Sequence, residues 1–345
     1  MICMKTILRY VCEIALTVTA VFFFTALMLQ IAGASPSDAC YHIFKGSLGS
    51  WTKFAQVIAA WIPLTLCSCG LLYTFRIALW NIGVEGQMMM GAIFATAMLR
   101  IGVGSNMPGL FLGMSCAAGI IGGGLWAMLA GVLKTKGGVN EIFAGLGLNF
   151  VAQGIILWLI FGPWKRPGIA SMSGTELFPA ELWLPSFSAL RISPAGIGFT
   201  LTALIVTAVM LHHTRIGLNL KAIGANPHAA YLFGLKPGRY MLLAMIFAGG
   251  AAGLAGSIQV TDIYHRLLPS ISSNYGYLAL LVVMLSNYRI SAVPAVAFFF
   301  ACLNVGSIQL PMVLCLDSSL SGVIQGTSVL AALGVQAWRK FRSEK

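Results

Sequence analysis

Apolar residues along this chain gather into runs of about 20, the length at which an α-helix crosses the hydrocarbon core of a bilayer. The runs fall at 11–32, 54–75, 80–103, 108–133, 141–162, 195–213, 240–261, 274–288, 291–310 and 319–338. They predict about ten spanning helices, because a chain in lipid must satisfy its own backbone polar groups and the helix does so segment by segment. Arg289 alone divides the eighth run from the ninth. The fold class read from this pattern is all-α, a polytopic transmembrane helical bundle in a single domain over residues 1–345.

One polar interruption stands out within the runs. Asn81-Ile82-Gly83-Val84-Glu85-Gly86-Gln87 sets a carboxylate, two amides and two glycines at or near membrane depth. Such a break is tolerated in a bilayer where protein or a water-filled cavity supplies partners, so Asn81, Glu85 and Gln87 are candidate translocation-pathway residues. The other reading of Glu85 is a hydrogen bond to a neighbouring helix. Asn149, eight residues after Glu141 and so on the same helix face, is a further pathway candidate, whereas Glu141 suits a helix N-terminus. Glu85 is the one carboxylate placed at depth, and no second break is as clear. The pairs Gly119/Gly123 and Gly249/Gly253 have the spacing that lets helices pack closely.

Two loops carry signals of their own. The stretch 163–194 holds Pro163, Pro167, Pro179, Pro185 and Pro194 with Trp164 and Trp183, the pattern of an irregular lid at the lipid interface or of a plain connector. In the stretch 214–239, Asn226 is a good N-cap, Pro227 fits the first helical position, and Gly234 can close a helix of about two turns. A helix that short is marginal in water by itself, which points to stabilisation by a docked partner.

Composition and charge sharpen the class. The chain is 58% hydrophobic and 9% charged, with a net charge of +12. With the N-terminus inside, Lys5, Arg9, Arg76, Lys134, Lys136, Arg215, Lys221, Lys236, Arg239, Arg289, Arg339, Lys340, Arg342 and Lys345 are cytoplasmic. Lys45, Lys53, Arg100, Lys165, Arg166, Arg191 and Arg266 fall on the other side. The bias predicts both termini in the cytoplasm of a multi-pass membrane protein. It also accounts for the basic balance through attraction to anionic membrane lipid, and no basic soluble domain is present for nucleic acid. Lys5, Arg9 and Ala32-Gly33-Ala34 imitate a secretory signal, but the apolar stretch from Ile14 to Ala34 exceeds a signal core of about 7 to 15 residues.

Catalytic and metal chemistry find little support. Cys67-Ser68-Cys69 reads as small packing residues, without His or acidic neighbours for a metal, and only Cys40 and Cys315 are placed outside, where a bridge could form. His212 and His213 are adjacent and so lie on different helix faces, and no His-Glu-x-x-His or Gly-x-Ser-x-Gly motif occurs. A membrane enzyme is therefore disfavoured, and an ion-coupled secondary transporter would want further acids and repeated breaks.

Four strings resemble one family in its own order. They are IALWNIGVEGQMMMGA (Ile77 to Ala92), GGVNEIFAGLGLNFVA (Gly137 to Ala152), TRIGLNLKAIGANPHAAYLFGL (Thr214 to Leu235) and AMIFAGGAAGLAGS (Ala244 to Ser257). Together they resemble the permease subunits of bacterial ABC importers for simple sugars, nucleosides and related solutes, of the type II importer class. The resemblance implies that Gly224, Asn226, Pro227, Ala229, Ala230 and Gly234 belong to a coupling helix seated on a cytoplasmic ABC ATPase. It further implies a second permease subunit and an extracytoplasmic solute-binding protein. ATP would be used by the partner, since this chain has no Gly-x4-Gly-Lys-Ser/Thr phosphate cradle and no cofactor of its own is expected.

The eighth run departs from many relatives, which resemble Gly-Phe-Asp-Gly-Ile-Ala there. This chain reads Asn274-Tyr275-Gly276-Tyr277-Leu278-Ala279, without the acid. Asn274, Tyr275 and Tyr277 are pathway candidates, the rings being suited to stack on a nucleoside base or a flavin, or else to form an interfacial aromatic belt. Nucleoside, simple sugar and riboflavin are the solutes the resemblance leaves open.

Overall fold

The computed structural model describes residues 35–166, 168, 174–186 and 192–308, with isolated positions between 19 and 30 and between 326 and 334. The first and tenth predicted spans lie outside these apart from the isolated positions. In chain order the helices are α1 (Pro36–Leu48), α2 (Trp51–Arg76), α3 (Val84–Gly102), α4 (Pro108–Thr135) and α5 (Glu141–Phe161). There follow α6 (Pro194–His213), α7 (Arg215–Ala225), α8 (Pro227–Leu232), α9 (Pro237–Ile258), α10 (Tyr275–Leu285) and α11 (Val293–Ser307). A 3₁₀ turn at Ala180–Leu182 and a π turn at Gln259–Ile263 complete the set, and no strand occurs among the described residues. Helices α1, α4, α6, α8 and α9 open on a proline in the first turn, where its missing N–H costs nothing.

Five helical stretches are long and apolar enough to cross a membrane: Trp51–Arg76, Pro108–Thr135, Glu141–Phe161, Pro194–His213 and Pro237–Ile263. The eighth predicted run, 274–288, is not a full span. Its helix α10 has 11 residues, about 16 Å against a hydrocarbon core of about 30 Å. It is half a span, preceded by an irregular stretch from Tyr264 to Asn274 and followed by a turn in which Asn287 and Tyr288 take positive φ. Helices α1 and α7 are further elements that the hydropathy pattern did not assign, since both are short and amphipathic rather than apolar.

The chain divides into two compact units, one of residues 1–60 and 298–345, the other Trp61–Ala297. In the first, Gly306 of α11 lies so near Ile43 of α1 that a Cβ would overlap the Ile43 carbonyl, and the Phe54 and Phe298 rings meet at 6.3 Å.

The second unit is built round α3, α4 and α9, and here the small-residue spacing operates as expected. A Cβ on Gly123 would overlap the Gly249 carbonyl, one on Gly253 the Gly119 carbonyl, and one on Gly91 the backbone of Gly253. Three backbones thus touch at Gly253. With no hydrophobic drive between helices in lipid, this closeness maximises dispersion and helix–helix contact. Beside it, Met89, Met90, Ile93, Ile156, Phe178, Val260 and Leu267 form a continuous apolar cluster.

Candidate functional site

The polar break between α2 and α3 is folded tightly rather than left open. Arg76 ends α2, Ala78 takes φ 59, and the chain turns so that the Asn81 and Gln87 amides face each other. Asn81 Nδ2 donates to Gln87 Oε1 at 3.0 Å, and Gln87 Nε2 donates to Asn81 Oδ1 at 2.8 Å. Each buried amide satisfies the other.

Helix α5 closes on this break through glycine and asparagine. A Cβ on Gly145 would lie 2.6 Å from the Gly83 nitrogen, so the two backbones are in direct contact. One turn on, Asn149 Oδ1 accepts the Gly86 N–H at 2.9 Å, while its Nδ2 donates to the Ile82 carbonyl at 3.0 Å and to Tyr277 Oη at 3.1 Å. Asn149 therefore replaces backbone bonds that the break leaves unmade. The Trp126 indole N–H lies beside Gly86, buried and without a partner among the described residues.

Glu85, 2% exposed, occupies the N-terminus of the half-helix α10. Its Oε2 accepts the Gly276 N–H at 2.8 Å. The Ser272 hydroxyl and the N–H groups of Asn274 and Tyr277 lie around the carboxylate. Helix N-termini present unpaired N–H groups and a positive end of the dipole, so a carboxylate is well held there. Ser273 and Asn274 approach through the left-handed region, at φ 47 and φ 60. Gly276 has to be glycine, because a Cβ would come within 2.8 Å of the Glu85 backbone nitrogen.

The structure thus gathers the seven pathway candidates, with Asn81, Glu85, Gln87, Asn149 and Tyr275 buried, Tyr277 half-buried and Asn274 exposed at one edge. The tyrosines do not form an exposed aromatic belt. Glu141, by contrast, pairs with Lys134 at 2.6 Å just after the Asn140 N-cap, as a helix-start residue does.

A second interruption, which the hydropathy pattern did not reveal, lies at the end of α9. The π turn Gln259–Ile263 carries a further acid, Asp262, at the end of a long apolar helix, with its carboxylate near the Ser193 N–H at the start of α6. The signal was an acid just beyond the run 240–261, where an interfacial position would excuse it. The segment 174–186 is fastened across this region: Thr175 N–H donates to Leu267 O, Phe178 N–H to His265 O and Leu184 N–H to Thr261 O, each at 3.0 Å. The Trp183 and His265 rings stack at 3.9 Å, and burial pushes the His265 imidazole below its ordinary pKa against a partly compensating bond to Thr261 O. The described part of the proline-rich loop, 174–186, is thus bound to residues 261–267 by backbone hydrogen bonds.

The loop 214–239 holds the short helix the sequence predicts, and more. Asn226 Oδ1 accepts from the N–H groups of His228 and Ala229, Pro227 is the first helical residue, and Gly234 takes φ 85. The helix is not isolated. Helix α7 precedes it, capped by Thr214, with Leu220 and Ile223 buried, and Gly224 packs directly on the Arg76 carbonyl. Ala230 is 5% exposed, so it faces its own chain, whereas Tyr231, Leu232 and Phe233 are 64%, 73% and 88% exposed. Asn226 and Pro227 are also exposed, and Ala229 is half-buried. The cysteines Cys67 and Cys69 are free and buried, and no group of three or more metal-binding side chains occurs among the described residues.

Comparison with known proteins adds identity. The model of the family described as branched-chain amino acid transport system / permease component matches residues 54–333. A glucose ABC transporter permease of Haloferax volcanii is 26% identical over 95% of this chain and 88% of its own length. A guanosine ABC transporter permease of Bacillus subtilis is 24% identical over 83% of this chain and 82% of its own. A nucleoside ABC transporter permease of Lactococcus lactis is 22% identical over 83% and 80%. With its long apolar helices, its buried polar break and a family match over most of its length, the chain belongs to this permease family and is a multi-pass protein of the cytoplasmic membrane.

Proposed function

We propose that the chain is the membrane-spanning subunit of a type II ATP-binding-cassette importer for a nucleoside or simple sugar. The observation that carries the reading is α8, a capped two-turn helix that buries Ala230 and turns three consecutive apolar side chains outward. An exposed apolar knob of this size on a basic loop calls for a protein groove. Mechanical continuity supports it, because α8 is joined to α7, α7 rests through Gly224 on Arg76, and a short turn beyond Arg76 the chain enters the Asn81–Gln87 break. Movement imposed on α8 is thereby delivered to the candidate site.

In this reading a cytoplasmic ATPase supplies the energy and a second permease subunit completes the path. A solute-binding protein delivers cargo to the side bearing the 163–194 lid, and both termini face the cytoplasm. Asn81, Gln87, Glu85 and Asn149 form the gate. Its closed state is the hydrogen-bonded arrangement above, and opening exchanges these bonds for others. The relatives named for glucose, guanosine and nucleosides favour those solutes over a flavin.

The test is uptake into proteoliposomes holding this chain with the ATPase, binding protein and any second permease encoded beside it. Uptake of labelled nucleoside or sugar that requires internal-face ATP supports the reading. Uptake that continues without the ATPase and collapses with an ion gradient would replace it by secondary transport.

A further inference from the structure

We propose that Gln259 is a contact the solute meets in transit, its side-chain amide reading a pair of adjacent hydroxyl groups on a sugar ring; this deepens the importer reading and rests on it. Gln259 is 1% exposed, and neither its Nε2 nor its Oε1 has a partner among the described residues. A primary amide offers two donors and an acceptor, and sealing all of them from water without a partner is costly. The buried amides of Asn81, Gln87 and Asn149, by contrast, are each hydrogen-bonded through both nitrogen and oxygen.

The position of the amide points to a ligand. Gln259 opens the π turn, a distortion that concentrates at functional sites within α-helices. Two further unpaired oxygens lie nearby in the fold: Asp262 Oδ1 on the same turn, and Thr96 Oγ1 one turn along α3 from Ala92, whose backbone meets Gly256. The segment 174–186 crosses this same turn through the bond from Leu184 to Thr261 O. An amide's neighbouring N–H and C=O match the acceptor and donor of a vicinal diol, a pair common to sugars and ribonucleosides.

Gln259→Leu keeps the approximate size and removes the unpaired polar atoms. The experiment uses the full transporter in proteoliposomes and, as probes, labelled D-glucose, D-ribose and guanosine, each beside its 2-deoxy or 2′-deoxy counterpart. Thermal unfolding of the same complex is recorded without solute. The leucine variant is expected to be at least as thermally stable as wild type. Saturated uptake of the transported probe should fall by about tenfold, with preference over its deoxy counterpart lost. ATP hydrolysis stimulated by the loaded binding protein should remain.

A leucine variant with unchanged uptake and unchanged discrimination would overturn the proposal. So would one that unfolds at lower temperature, because the amide would then be held by a structural partner or a buried water. Failure of the wild-type complex to take up any probe with ATP would be a failure of the importer reading itself, visible before a variant is compared.

Discussion

At the scale of single residues, Glu85 supplies the cap that α10 lacks. Glu85→Ala strands the Gly276 N–H and is expected to cost about 1–3 kcal/mol of stability, read as a lowered melting temperature in detergent, as well as transport. Glu85→Gln keeps an acceptor and should recover most of the melting temperature. An alanine variant as stable as wild type would remove the capping role. His265 makes a pH prediction for the lid. Its folded imidazole prefers the neutral form, so the unlocked state binds the proton more readily, and the lid's stability is present above the ordinary imidazole pKa of about 6.5. It is lost progressively as pH falls through that value toward the lower folded one. Hydrogen exchange across residues 174–186 should quicken with acid, and His265→Phe should flatten the response. The polar members of the site were legible because each interrupts an apolar run. Their partners were not, since Gly276 lies 191 positions from Glu85 and spacing carries no record of such a meeting.

At the scale of elements, hydropathy identified helices by length and so read α10 as a span. Only the packing of Glu85 on its first turn shows that the helix begins inside the protein. The short helix α8 was legible because its signals are local, an Asn cap, a Pro start and a Gly stop, whereas α7 was hidden because its apolar face is narrow. The outward side of α8 is Tyr231, Leu232 and Phe233, so Leu232→Asp with Phe233→Asp should abolish co-purification with the ATPase and uptake together while leaving membrane insertion intact. Ala230 is the contrasting position. Enlarging it disturbs the packing under the helix and is expected to cost about 1–3 kcal/mol, seen first as a lowered melting temperature. Retained association in the double aspartate variant would show that α8 is not the docking element.

At the scale of the whole molecule, the distribution of Lys and Arg yields an orientation that labelling can check. Single cysteines at Lys136 and Lys221 should react only with probes that reach the cytoplasm, and one at Lys165 with a probe confined outside. Outside labelling at position 221 would invert the scheme. The close-packed centre has a mechanical consequence for any such molecule. Where α3, α4 and α9 converge on Gly253, backbone meets backbone with no side chains interleaved. Pulling the helices apart there forfeits contact on every side, but turning one against another drags no side chain out of a socket. The contact is a bearing, able to swivel and unable to part, and a bulkier residue at Gly253 would turn it into a weld or a gap.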